Sequence, residues 1–194
     1  MELNQSYDLL KVTNGQFRPW DEATKAYLEA KALGCVGALG MEADVRSITK
    51  VCEGVVEEEI TLINFYTVTI TGHMPIGVIR DIFGLSNDGL RPGVYAIGQN
   101  TRGKKGVFTF EGQDMYGVQK KFMAYPKMSV TSGYAFSHEN GLDEIAEIEI
   151  EFKAMKDSLG KFYYEAYEEE LTDEEVKTGW AKTFDQTLVT PIIP

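Results

Sequence analysis

Histidine and cysteine are scarce in this chain: His73, His138, Cys35 and Cys52 are all that 194 residues contain. None forms a close pair of the C-x-x-C or H-x-x-x-H kind, so the spacing offers no zinc site. In a reducing compartment the two cysteines read as small core residues. Two histidines leave few ways to build a nucleophile with its base, and His73, between a strand and a helix, is expected in a turn or core role. No Walker-type loop occurs, because the glycines and lysines of 93–106 lack the spacing that cradles phosphate. No G-x-S-x-G elbow occurs either. Acids number 30, so carboxylate pairs are inevitable and say nothing about glycoside hydrolysis. The residue census points away from an enzyme, with no cofactor.

Long apolar runs are also missing. The most apolar-leaning stretch, 60–79, carries Thr61, Asn64, three further threonines and His73, too polar for a membrane span. Met1-Glu2-Leu3-Asn4-Gln5 lacks the basic-then-apolar order of a secretory signal, and the expected location is the cytoplasm. Cations are outnumbered: 19 Lys and Arg leave a net charge of −11. Such a surface does not hold nucleic acid by neutralising phosphate, but it also does not obstruct DNA that moves past it. The plainer use of that charge is solubility.

What is present is β-rich. Hydrophobic residues at 43% can fill a core in a single domain, 1–194. Residues 1–20 read as an arm, not a core element. Asp21 is placed to cap a helix reaching about Leu33, stopped by Gly34. Strands follow over 36–43 and 45–51, broken by Asp44, with a turn at Glu53-Gly54 and an exposed acidic run over 55–59. The segment 60–71 has the β-branched and aromatic content of a strong strand. Pro75 opens a short helix with Ile76, Ile79 and Phe83 as its stripe and Gly84 or Asn87 as its end. Strands are expected over 94–97, 106–111, 116–125, 129–134, 144–155 and 161–167, a density that indicates a sandwich or barrel. Connections are expected at 100–105, 113–114 and 157–160. Thr172 and Glu175 have capping-box spacing for a last helix, on which Val176 and Trp180 form the packing stripe and Gly179 is a weak point. Residues 185–194 read as an extended arm.

The clearest strand is 144–155. Ala146, Ile148, Ile150, Phe152 and Ala154 share one parity, and Glu147, Glu149, Glu151 and Lys153 share the other. Three glutamates then stand in a row, roughly 7 Å apart, and need water or a cationic partner. The pattern alone reads as a solvated sheet face. Phe162, Tyr163, Tyr164 and Tyr167 alternate between faces and, without a basic groove, suit core packing and subunit contacts.

Several short runs carry a likeness. Ile48-Thr49-Lys50-Val51-Cys52-Glu53-Gly54-Val55-Val56 precedes the threonine-rich strand. Gly72-His73-Met74-Pro75 then leads to the helix ending Ile82-Phe83-Gly84-Leu85. Later come Tyr95-Ala96-Ile97-Gly98-Gln99, Ala124-Tyr125-Pro126-Lys127, Glu139-Asn140-Gly141, the alternating strand, Tyr164-Glu165-Ala166, the 172–184 helix and Leu188-Val189-Thr190. In this order, over about residues 33–190, the chain resembles the major tail (tail tube) proteins of long-tailed phages and prophages of Gram-positive bacteria.

The resemblance implies a mainly β fold, a sandwich or barrel of tail tube type with flanking short helices. It implies a virion protein assembled in the host cytoplasm, in which six copies form a ring and rings stack into a conduit for DNA ejection. It implies the tape measure and the tail terminator and initiator proteins as partners, DNA passing through without specific binding, and no membrane or catalytic residue. On this reading Glu147, Glu149 and Glu151 line the lumen, with the outer tube surface as the competing place. The segment 44–59, with Val51, Glu53, Gly54, Val55 and Val56, is the ring-stacking loop. Segments 1–20 and 185–194 are assembly arms. The inner tube of a contractile tail or secretion machine is a variant of the same reading. A β-sandwich module that binds sugar or protein is the alternative, and an enzyme on a β scaffold comes third.

Overall fold

A computed structural model describes residues 7–135, 145 and 147–191. It is 50% strand and 10% helix, with one antiparallel sheet, which makes the chain mainly β. In chain order the elements are β1 (Leu9–Asp21), β2 (Ala26–Tyr27), β3 (Lys31–Ala32), β4 (Cys35–Cys52), β5 (Val55–His73), α1 (Ile76–Phe83), β6 (Gly106–Asp114), β7 (Lys120–Val130), β8 (Ile148–Ala154), β9 (Tyr164–Tyr167) and α2 (Glu174–Thr183). The sheet order is β2-β1-β6-β7-β8-β5-β4, with β3 added to β1 and β9 to β7.

The sheet curls until its two ends meet. Leu33 N donates to Gly15 O across 2.8 Å, and a Cβ on Gly15 would lie 2.9 Å from Val36 at the start of β4. Inside the curl sits one core. Phe108 of β6 touches Phe17 of β1 and Phe152 of β8, with ring centroids 4.6 and 4.5 Å apart. Val68, Ile70, Tyr125 and Ile150 join them, and α1 packs Val78, Ile79, Ile82 and Phe83 against the same core. Strands β6 and β7 are buried on both faces. Their other parity, Val107, Phe122 and Ala124, meets Trp180 and Phe184 at α2 in a second cluster.

Several expectations are corrected. The segment read as an arm over 1–20 is, from Leu9 onward, strand β1 inside the sheet. Its inward positions are Gly15, Phe17 and Pro19, so a single large apolar side chain marks the buried face. No helix follows Asp21. Its carboxylate accepts from Ala23 N and Thr24 Oγ1 and closes a turn, and Lys25 then takes φ 54°, which ends helical geometry. Segment 94–97 is no strand: only a Ser86–Ala96 bridge forms there. On α1, Ile76 is exposed, and Val78 and Ile82 complete the stripe. The cap of α2 is Asp173, not Thr172: its Oδ1 accepts from Glu175 N at 2.8 Å. Residues 185–191 are turns, not an extended arm, because Asp185 Oδ1 accepts from Thr187 N and Leu188 N and folds Leu188 and Val189 onto the second cluster.

Proline does not interrupt β7. Between Tyr125 and Met128 the strand carries an extra residue relative to β6, and Pro126 occupies that bulge, where no ladder donor is needed. At Gly84 a left-handed backbone (φ 71°) closes α1, and a Cβ there would lie 2.1 Å from Arg102 O.

Candidate functional site

Strands β4 and β5 form one hairpin of 18 and 19 residues. Cys52 pairs with Val55, and Glu53 (φ 50°) and Gly54 (φ 83°) turn the chain. Two successive positive φ values make the type I′ turn whose twist matches its strands. The expected break at Asp44 is a bulge: Asp44 pairs with Phe65 and Val45 with Ile63, and the extra residue, Asn64, donates to Asp44 Oδ1 at 2.7 Å.

Only the base of the hairpin belongs to the body. β8 pairs with β5 over Tyr66–Gly72, and beyond that point the two hairpin strands, among the described residues, pair with each other alone. Nine residues of β4, from Asp44 to the tip, therefore project by roughly 30 Å. Every residue from Gly40 to Asn64 is exposed. Eight large apolar side chains lie on this projection, with Val55 at 67% and Val51 at 57% exposure. Cross-strand neighbours share a face, so Val45–Ile63, Ile48–Ile60 and Val51–Val56 are apolar pairs in water. A lone two-stranded hairpin is marginally stable, and two free strand edges are ready to pair with another chain.

The expected loop residues Val51, Glu53, Gly54, Val55 and Val56 all sit at this tip. The cysteines do not enter the core. Both are exposed, Cys35 at the base and Cys52 beside the turn. His73 is the exposed last residue of β5; His138 lies outside the described residues.

The second surface is the outer face of β4, β5 and β8. Core-facing Ile150, Phe152 and Ala154 alternate with exposed Glu149 and Glu151. Ala146 and Glu144 lie outside the described residues. Across the strands, Glu149 stands beside Thr71, Glu151 beside Thr69 and Lys153 beside Thr67. These threonines pair in turn with Ala38, Gly40 and Glu42. The exposed Glu147 carboxylate lies over Gly37, 2.6 Å from where a Cβ would stand. Thr131 Oγ1 donates to Glu151 Oε1 at 3.0 Å, and Lys153 Nζ sits 3.7 Å above the Phe65 ring. The three glutamates thus share a hydroxyl-lined, mostly anionic face, bordered by Lys153 and the Phe65 ring beneath it.

The remaining candidates are structural. Tyr163 leans on Tyr125, Tyr164 on Phe184 and Tyr167 on Tyr7, each with ring centroids 5.2 to 5.6 Å apart. Burial raises the Tyr163 and Tyr164 phenols, Glu165 beside the first and Asp157 beside the second adding to the shift, so both stay protonated. Trp180 is buried, donates Nε1–H to Met123 O and packs with the half-buried Val176. A cavity of about 600 Å³ lies between β9, α2 and the C-terminal turn. Its Arg18 guanidinium is engaged by Thr183 O, Phe184 O and Asp185. Among the described residues no cluster of three or more His, Cys, Asp or Glu could hold a metal ion, and no helix is long and apolar enough to cross a membrane. No protein-family model matches the chain, and no curated protein matches it.

Proposed function

We propose that the chain is a self-assembling structural subunit of a phage tail tube, stacked as hexameric rings around a conduit for DNA. One observation carries this reading: a hairpin projecting roughly 30 Å from the body, apolar on both faces and, among the described residues, unpaired along both edges. Its apolar side chains gain burial, and its edges gain hydrogen bonds, only against another chain. The resemblance supplies the identity of that other chain, a further copy, and the closed inter-subunit barrel that would remove the edges. The threonine-lined face of β4, β5 and β8 suits a bore, because Glu147, Glu149 and Glu151 outnumber Lys153, whose ammonium is held over the Phe65 ring, and repel DNA phosphates. The tape measure and the tail terminator and initiator proteins would be its other partners, and the virion tail its location.

The hairpin separates this reading from a monomeric sugar- or protein-binding module. Residues 45–64 are replaced by Asn-Gly, which joins the paired Asp44 and Phe65 by a two-residue turn and closes the same ladder near the body. The parent should sediment as rings or stacks at high concentration, and the shortened protein should remain folded and monomeric. Identical sedimentation of the two proteins would remove the reading.

A further inference from the structure

A long uncovered loop lies at the opposite end from the hairpin tip. β5 runs from the tip to His73, α1 follows, and the chain leaves α1 at Gly84 and rejoins the sheet at Gly106. From there β6 runs alongside β7 in the direction of the hairpin, so both ends of the loop sit at the hairpin's base end. All fifteen residues of 86–100 are exposed. Among the described residues the loop is shaped by the Ser86–Ala96 bridge, three tight turns, a Gly98 N–H bond to Thr101 Oγ1 and the Arg80 guanidinium over Tyr95. Yet Leu90, Val94, Tyr95 and Ile97 are 38 to 50% exposed. A loop this long without packing of its own is usually functional.

Its charge runs against that of the whole chain. Residues 86–105 hold Arg91, Arg102, Lys104 and Lys105 against a single acid, Asp88, in a protein of net charge −11. Lys104 is bound to Asp81 and Lys105 lies by Glu22, but Arg91 and Arg102 form no ion pair among the described residues. Arg80 stacks 3.7 Å above the Tyr95 ring and adds a further cation. The hairpin tip is the converse. Lys50 is held by Glu57, which leaves Glu53, Glu58 and Glu59 unpaired among the described residues, beside exposed Val51, Val55 and Val56.

From this complementarity we infer that the hairpin tip of one copy docks on the 86–105 loop of the next copy along the stack. Glu58 and Glu59 face Arg91 and Arg102, and Val51, Val55 and Val56 cover Val94, Tyr95 and Ile97. The two surfaces lie at opposite ends, so the contact is head-to-tail and repeats without closing, which produces a stack. The inference rests on the tube reading and names the surface that receives the hairpin.

Charge reversal tests it. Glu58→Lys with Glu59→Lys, and separately Arg91→Glu with Arg102→Glu, should each raise the concentration at which stacks form by at least about tenfold, because facing like charges repel. The protein carrying all four changes should assemble near the parental concentration. Circular dichroism establishes that the variants fold, as their exposed sites predict. A second measurement uses the tip thiol. Cys35→Ser with Val94→Cys should give a ladder of disulfide-linked multimers on oxidation, and adding Cys52→Ser should abolish it. If the parent stacks but the reversed proteins stack at the same concentration and no ladder forms, the docking is wrong and the tube reading stands. A parent that never assembles overturns both.

Discussion

Phe108 stands where three strands converge, with Phe17 and Phe152 on either side of its ring. Phe108→Ala should lower stability by about 3–5 kcal/mol, read from urea unfolding, because a cavity opens in a core closed from every side. Asp81 offers a pH signature. Burial pushes its carboxyl up, but hydrogen bonds and charge from Lys104 and Lys31 outweigh this and hold it below the usual carboxylate range. A carboxylate whose pKa is depressed by folding stabilises the fold above its unfolded value of about 4 and loses that contribution as pH falls through the folded value. Asp81→Asn should therefore cost about 1 kcal/mol at pH 7 and almost nothing near pH 2. An equal loss at both pH values would assign the effect to packing. Individual residues were unevenly legible in the sequence. Trp180 was readable because a bulky apolar residue on a polar helix has one plausible face. Cys35 and Cys52 are exposed where composition suggests core, since small apolar residues are buried by habit and nothing local says that their hairpin leaves the body. Gly179 was read only as a weak helix position. Leu188 folds back to lie 3.1 Å from where its Cβ would be, a contact no local rule contains.

At the scale of elements, strong periodicity was readable and weak periodicity was not. The alternation over 148–154 marks β8 and the spacing of Ile79 and Phe83 marks α1, although Ile76 is exposed, and Glu53-Gly54 announces its turn. β1 escaped because glycine and proline fill two of its three buried positions. The strands on either side of Asp44 looked separate because a bulge and an end carry the same local signal. The length of the hairpin now has a dynamic consequence. Among residues 45–63, amide protons in the dilute protein should exchange far faster than those of β6 and β7, since only one ladder protects them. On assembly they should slow by orders of magnitude. Fast exchange that persists in the assembled protein would show that the hairpin stays in water. On the other face, Trp180→Ala should cost about 3–5 kcal/mol and detach α2 from Phe122 and Phe184, seen as a cooperative loss in thermal unfolding.

For the whole molecule, sheet order was beyond local reading. β1 pairs with β6, which puts Phe17 beside Phe108 across nearly half of the chain, and no periodicity encodes such a choice. The mainly β class was nonetheless legible from strand density, and the exposed acidic row from parity. Charge acts at this scale too. If Glu147, Glu149 and Glu151 line a bore, replacing all three with lysine should leave tube assembly intact and slow DNA ejection from tails that carry the change, because phosphates would then find cations along the passage. Unchanged ejection from normally assembled tails would put that face on the outside.

On the tube reading, copies of the chain complete a sheet whose hairpin has no partner strand among the described residues. Electron microscopy of the purified protein at high concentration tests this most directly. Rings that stack around an open central bore, with the hairpin bridging from each ring to the next, are the expected image. A field of single compact particles at every concentration would contradict it.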